Sequence, residues 1–354
     1  MSVSGAAATS PSGVCGAVIH GLGGCLRVVS EDPDSEQQMA TLQHQWTRCL
    51  RPEPRDREAP VISLGATPDN EPAFWERTTQ RITAELIGQQ AGKLLMLHAG
   101  GVCNPETGAS IVYVAPSRTG KTTLTLSLSG RFGYLSDETI ALDERLRVFG
   151  YPKPLSVRST DGQPRREMSP DELGFAPAHP EPFLARLVIL NRSDTHHGAP
   201  VITPLDLFDA AVVLAPQTSS LSALDDGLHR LQSLTRQTGP VLQVAYRDAP
   251  ELHGLFETVL GMPLWVRRVE AADVLTRSEP QPEVLLLLDD HLVRVGELGT
   301  AVLDETAEPI EIAALAQRLA ARFGAPEQGD IQLRTRAAVD ELLTQGALTK
   351  VAQA

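Results

Sequence analysis

Apolar runs of strand length alternate along this chain with segments whose apolar residues recur every three or four positions, a pattern that predicts an α/β protein. Residues 94–98, 111–114, 133–135, 184–190 and 241–246 read as short strands. Helical spacing marks 74–89 through Trp75, Ile82 and Leu86, and shorter helix-like segments cover 207–213 and 221–235. Ahead of these, 21–29 and 61–64 read as strands, separated by a helical stretch at 37–50 and a Pro- and Arg-rich loop at 51–60. Residues 1–13, rich in Ser, Ala and Gly, read as a frayed tail. The pattern divides into an α/β lead-in over 1–89 and an α/β core over 90–275.

The composition then changes. Residues 276–283, with two prolines and mostly polar neighbours, read as a linker to a small domain over 284–350. Runs at 284–288 and 292–295, joined by Asp289-Asp290-His291, predict a β-hairpin. Three helices are expected after it: 297–305, a second marked by Ile312, Leu315, Leu319 and Phe323, and a third marked by Val339, Leu342 and Leu343 and ended by Gly346. A hairpin with three helices is winged-helix-like.

Charge and cysteine usage remove several classes of function. With 31 Lys plus Arg against 44 Asp plus Glu, the net charge of −13 leaves no broad basic surface to displace counterions from nucleic acid. No window approaches 18 apolar residues and no signal peptide opens the chain, so neither membrane spanning nor export is expected. Cys15, Cys25, Cys49 and Cys103 have no metal-binding spacing and fit free thiols in a reducing cytoplasm.

The strongest chemical signal follows the apolar run at 111–114: Ala115-Pro116-Ser117-Arg118-Thr119-Gly120-Lys121-Thr122-Thr123, then a helix carrying Leu124, Leu126 and Leu128. A nucleotide's phosphates require converging backbone N–H donors, a cation and a hydroxyl for Mg2+, and Gly120, Lys121 and Thr122 stand where those demands fall. Ser117 to Thr123 are the expected nucleotide-binding residues. Ala115 occupies the place of the usual first glycine and Pro116 has no N–H, which predicts a stiffer, narrower turn.

Phosphoryl transfer asks the protein to position an acceptor, balance charge through Mg2+ and take one proton. Asp137 and Glu138, just past the strand at 133–135, suit the last two tasks if that strand neighbours the loop-bearing one. His98 ends an apolar strand before Ala99-Gly100-Gly101, where a small-residue turn would face its ring to a cleft; the alternative is a structural histidine. Lys153 and Arg158, in the Pro-containing segment 151–158, are candidate phosphate or substrate contacts, or else solvated charges. His196-His197 lies in a polar loop and suggests a lid at most.

Leu97-His98-Ala99, the Ser117-to-Thr122 loop, Leu135-Ser136-Asp137-Glu138 and Tyr151-Pro152-Lys153-Pro154-Leu155, in this order and spacing, resemble the HPr kinase/phosphorylase-related family. The resemblance spans roughly residues 90 to 260, with Pro204-Leu205-Asp206 and Tyr246-Arg247-Asp248 as looser echoes. It implies a P-loop core like that of phosphoenolpyruvate carboxykinase, and transfer of the γ-phosphate of ATP, with Mg2+, to a hydroxyl, commonly a serine. By position, Lys121 would grip phosphates, Thr122 would hold Mg2+, Asp137 would be base and metal neighbour, and His98 would polarise the site. Ala115 and Arg118 stand where the family has glycine, and Glu138 where it has a second Asp. No counterpart of the arginine-glycine segment used in the reverse reaction is present, so HPr itself is not the expected substrate.

The tail, 284–348, resembles PqqD-like peptide-recognition domains, which bind the leader of a ribosomally made precursor peptide as an added strand. Together the two resemblances imply an ATP-dependent kinase acting on a serine or other hydroxyl of a leader-bearing peptide, with a partner modifying enzyme and homo-oligomer formation as further expectations. Two alternatives stay open. One is a catalytically weak nucleotide-binding scaffold for a peptide-modifying enzyme; the other is a kinase for a small acidic metabolite.

Overall fold

The computed structural model describes residues 15–30, 34–52, 59–68, 71–116, 119–157, 165–261, 265–277, 283–288, 291–324 and 331–351. The tail expected at 1–13 and the candidate residues Ser117, Arg118 and Arg158 lie outside the described residues. The chain is mixed α/β. It forms two compact units: Met1–Arg236 with Pro240–Leu260, and Gln237–Gly239 with Gly261–Ala354.

The first unit opens with β1 (Cys15–Gly21) and β2 (Gly24–Ser30), an antiparallel pair. The strand expected at 21–29 is β2, beginning after a turn in which Leu22 and Gly23 both take positive φ, 54° and 77°, and β1 ahead of that turn is unexpected. A two-residue turn of that hand matches the twist of the flanking strands. Helix α1 (Ser35–Gln45) then carries the chain across to β3 (Val61–Leu64), parallel to β2, as a parallel pair requires. Helix α2 (Glu71–Gln90) buries Trp75, Ile82 and Leu86, the residues its spacing singles out, in one cluster with Ile19, Leu26, Trp46 and Tyr151. The lead-in therefore belongs to the same compact unit as the core.

Next come β4 (Leu95–Leu97), β5 (Ala99–Cys103), β6 (Ala109–Val114), α3 (Lys121–Ser127), β7 (Gly133–Ser136), β8 (Ile140–Leu142), β9 (Val148–Phe149), β10 (Leu155–Val157) and β11 (Arg166–Met168). After these follow β12 (Phe183–Arg192), β13 (Val201–Leu205), α4 (Leu207–Leu214), β14 (Thr218–Ser219), α5 (Gly227–Thr238), β15 (Val241–Tyr246) and α6 (His253–Leu260). Six strands form the main sheet in the order β13-β15-β12-β6-β5-β7, and four form another, β14-β4-β8-β9. The middle strands β15, β12 and β6 are parallel. Strand β6 is buried along its whole length, which is why it reads as an unbroken apolar run. Leu95, Leu97, Val112, Val114, Ile140, Leu187 and Ile189 from both sheets share one aliphatic core.

The small-residue turn expected after His98 is instead strand β5, paired antiparallel with both β6 and β7. Its glycines make room. A Cβ on Gly100 would lie 2.2 Å from Cε2 of Tyr113, a fully buried ring whose hydroxyl lies 2.6 Å from Thr125 Oγ1. Thr125 in turn donates to the Lys121 carbonyl at 2.9 Å, so the tyrosine fixes the first turn of α3. Gly100→Ala is expected to cost about 1–3 kcal/mol, the usual penalty of overpacking. Thermal unfolding of the ligand-free protein should show the loss as a melting temperature several degrees lower; an unchanged value would mean the ring relaxes freely.

The second unit starts earlier than the linker expected at 276–283. Strand β16 (Trp265–Arg268) pairs with β20 (Ile310–Glu311) and β21 (Leu348–Val351), and β17 (Asp273–Arg277) pairs with β18 (Glu283–Leu287), which pairs with β19 (Leu292–Val295). Thr276, Arg277 and Glu283 of the expected linker are thus strand residues, and 278–282 lie outside the described residues. Helices α7 (Glu297–Glu305), α8 (Ile312–Phe323) and α9 (Ile331–Thr344) complete the unit. Val284, Leu286, Val293, Leu315, Leu319, Val339 and Leu342 form its core.

Candidate functional site

Strand β6 ends at Val114, and the chain turns through Ala115, Pro116, Thr119 and Gly120 into α3. Pro116, which cannot donate, accepts instead: the Thr119 N–H reaches its carbonyl at 3.3 Å. Gly120 has φ 100°, a left-handed conformation that a side chain would strain, and its carbonyl starts the helix by accepting from Leu124 N at 2.9 Å. Lys121 follows, 8% exposed. Its ammonium donates to Ala115 O at 2.7 Å. Burial holds the Lys121 pKa below its ordinary value, against the opposing pull of Asp137 and Glu138.

Asp137 lies just beyond β7, two strands from β6 with β5 between, so the expectation that its strand neighbours the loop-bearing strand is corrected. The carboxylate nevertheless reaches α3. Its Oδ2 accepts from Thr122 Oγ1 at 3.1 Å, and its Oδ1 lies 3.2 Å from the Tyr134 hydroxyl and 3.1 Å from Lys153 Nζ. The turn is fixed by Ser136 Oγ, which accepts the N–H groups of Glu138 and Thr139 at 3.2 Å. Tyr134 is raised well above the ordinary phenol range, first by burial and then by Asp137, so it is a neutral donor.

Lys153 is not a solvated charge. It is 3% exposed and its ammonium bridges Asp137 and Glu138, each at 3.1 Å. Burial works against its charge, but Asp137, Glu138 and Glu167 together raise its pKa far above the ordinary value. Burial pushes the Glu167 carboxyl up, with Lys153 opposing, and Thr79 of α2 donates to it at 3.3 Å.

These groups line one cavity of about 480 Å³. His98, Gly120, Lys121, Thr122, Thr123, Asp137, Glu138 and Lys153 all border it. Thr119 is described but is not among the lining residues, and His196 and His197 sit in the turn after β12, away from it. Glu76, Thr79 and Gln80 of α2, with Ser156, Arg165 and Glu167, complete the wall. The sequence reading passes over these six. Glu76, Thr79 and Gln80 are signalled only by the row of polar residues interleaved with the apolar stripe of α2, and Ser156, Arg165 and Glu167 by nothing local.

His98 stands where the chain passes from β4 in one sheet to β5 in the other, its N–H held by Gln217 O at 2.6 Å. Its pKa is lowered, first by burial and then by Lys121, with Glu138 opposing. A base whose folded pKa is depressed adds stability above its unfolded value of 6.5, and that stability is lost as the pH falls through the folded value. His98→Gln is therefore expected to lose less of its melting temperature than the parent between pH 7.5 and 5. Parallel curves would mean that the ring protonates without penalty.

The oxygen donors suit a hard cation. Mg2+ takes octahedral ligands at about 2.0–2.1 Å, which sets neighbouring ligands about 2.9 Å apart, close to the 3.1 Å between Thr122 Oγ1 and Asp137 Oδ2. No group of three or more His, Cys, Asp or Glu side chains placed to hold a metal occurs among the described residues. Such a site accords with an ion bound through one carboxylate, a hydroxyl and a ligand's phosphates. No helix among the described residues is long and apolar enough to cross a membrane. No protein-family model matches this chain, and no curated protein matches its sequence.

Proposed function

We propose that the chain is an ATP-dependent kinase of the HPr-kinase-like P-loop type, transferring the γ-phosphate to a serine or other hydroxyl of a precursor peptide. The observation that carries this reading is the 3.1 Å contact between the Thr122 hydroxyl and the Asp137 carboxylate, in a cavity that Lys121 also borders. It brings a phosphate-gripping cation, a metal-binding hydroxyl and a proton acceptor together, as phosphoryl transfer demands. In this reading Gly120 lets the backbone approach the phosphates closely, Lys121 neutralises their charge, and Asp137 takes the acceptor's proton. Thr122 and Asp137 would hold Mg2+, which supplies charge neutralisation when bound. The neutral His98 would accept or relay a proton beside them.

The second unit, with its two three-stranded sheets and three helices, would be the PqqD-like module. Strand β18 is paired on both sides, by β17 and β19, so a peptide leader adding to the hairpin would lie along the outer edge of β19. Capture there raises the local concentration of the modified segment. One observation favours the catalytically weak scaffold instead: the Lys153 ammonium bridges both Asp137 and Glu138 and so occupies oxygens that a metal ion and an acceptor's proton would need.

Equilibrium binding and turnover separate the readings. Lys121→Ala is expected to weaken Mg-ATP binding at least about tenfold, the equivalent of a single charge-assisted contact. Unchanged affinity would remove the nucleotide site. Tight ATP binding by the parent with no transfer to a leader-bearing peptide and no hydrolysis would leave the scaffold.

A further inference from the structure

A second cavity in the first unit, about 620 Å³ and of a size that ordinary small ligands fill, has no part in the site described above. Its lining holds three arginines, Arg48, Arg51 and Arg147, against one carboxylate, Glu181. Arg48 and Arg147 are ion-paired with Asp171 and Asp143, which lie outside the lining, so the excess positive charge rests on Arg51. The arginines are not equivalent. Arg48 is structural: its donors go to Asp171, Ala176 O and Phe175 O. Arg147 is held in place, its Nε 3.1 Å from Asp143 Oδ2 and its guanidinium 4.8 Å from the centre of the Phe149 ring. Arg51 uses Nη1 on Leu50 O at 2.7 Å. Each of these two guanidiniums carries five donors, so both keep N–H groups for a ligand, and stacking on Phe149 removes much of the entropy that Arg147 would lose on binding.

We propose that this cavity binds a small polyanion, its phosphate or carboxylate groups taken by the guanidinium forks of Arg51 and Arg147. Both oxyanions match a guanidinium fork, and the cavity volume admits a metabolite rather than a lone inorganic ion. The site backs onto the first cavity. Tyr134 and Leu135 face it while Asp137 and Glu138 face the other, and Phe149, Gly150 and Pro152 face it while Lys153 faces the other. Because the two cavities share this wall, a test must assign each binding event to one of them.

The test is calorimetric titration of the full chain with pyrophosphate and, separately, with citrate. Three proteins are compared: the parent, Lys121→Ala, and Arg51→Gln/Arg147→Gln. A binding event that survives Lys121→Ala and weakens at least about tenfold in the double arginine variant is expected. Preference for pyrophosphate or for citrate identifies the ligand as a phosphate ester or a polycarboxylate. The charge-preserving pair Arg51→Lys/Arg147→Lys, which loses only the forks, should fall between parent and glutamine variant, and serves if the glutamine variant is unstable. Equal affinity in parent and arginine variants overturns the proposal, as does absence of binding of either probe up to about 10 mM, beyond the weak end of useful affinity. Loss of all binding in Lys121→Ala alone also overturns it. Intact ATP binding in Lys121→Ala would instead defeat the nucleotide reading and leave this site standing.

Discussion

Asp137→Asn is expected to lower the turnover of Mg-ATP, as phosphate transfer or hydrolysis, by about 10²–10⁴-fold, the contribution usual for a positioned general base. Nucleotide affinity should fall far less than turnover, since in this reading the phosphates are gripped by the loop and Lys121 and the asparagine's amide oxygen can still face the metal. Asparagine keeps the size of the side chain and its amide oxygen can still accept from Thr122, while its NH2, which cannot accept from Tyr134 or Lys153, can only donate to the Tyr134 hydroxyl; the proton acceptor is lost. Glu138→Gln provides the comparison. Glu138 is half-exposed and its carboxylate bridges to Lys153, and its replacement should cost well under the Asp137 effect. Steady-state kinetics on both variants decide the matter. An Asp137→Asn protein within about tenfold of the parent would reassign the base, because a loss that small is below what proton transfer normally contributes.

The parts of this site legible in the sequence are those whose chemistry is local. Gly120-Lys121-Thr122 after an unbroken apolar run announces its turn because the left-handed glycine, the cation and the hydroxyl are consecutive, and the α2 helix announces itself through Trp75, Ile82 and Leu86. The second unit's helices are legible for the same reason, since Ile312, Leu315 and Leu319 repeat on one face. What fails is what depends on partners distant in sequence. Gly100-Gly101 reads as a turn because glycine favours turns; only the Tyr113 ring against Gly100 and the Ile140 side chain against Gly101 explain why the strand is glycine here. Strand β17 is exposed at every residue, so it carries no alternation of buried and open positions and merges with the polar stretch after it. Lys153 reads as solvated because a lysine between two prolines has no charged neighbour in sequence, and its carboxylate partners follow a different strand.

That lysine carries the largest expected effect on stability. Lys153→Met keeps the length of the side chain and removes its charge, leaving Asp137, which is 7% exposed, and the buried Glu167 without the cation that offsets them. Breaking a buried pair by deleting one partner typically costs about 3–5 kcal/mol, far more than the same pair would be worth at the surface. The penalty comes from desolvated like charges left facing one another. A second substitution that deletes one of those charges should therefore return part of the loss: Lys153→Met/Glu167→Gln is expected to be more stable than Lys153→Met alone. The reason is coupling, since contacting groups are not additive and the interaction between them appears as the difference between double and single variants. Urea denaturation of the four proteins in the cycle measures it. A loss below about 1 kcal/mol in Lys153→Met, the range of an exposed ion pair, would mean that water reaches the carboxylates once the lysine is gone. The three acids would then belong to an open, hydrated site whose charge the nucleotide's own cation must balance.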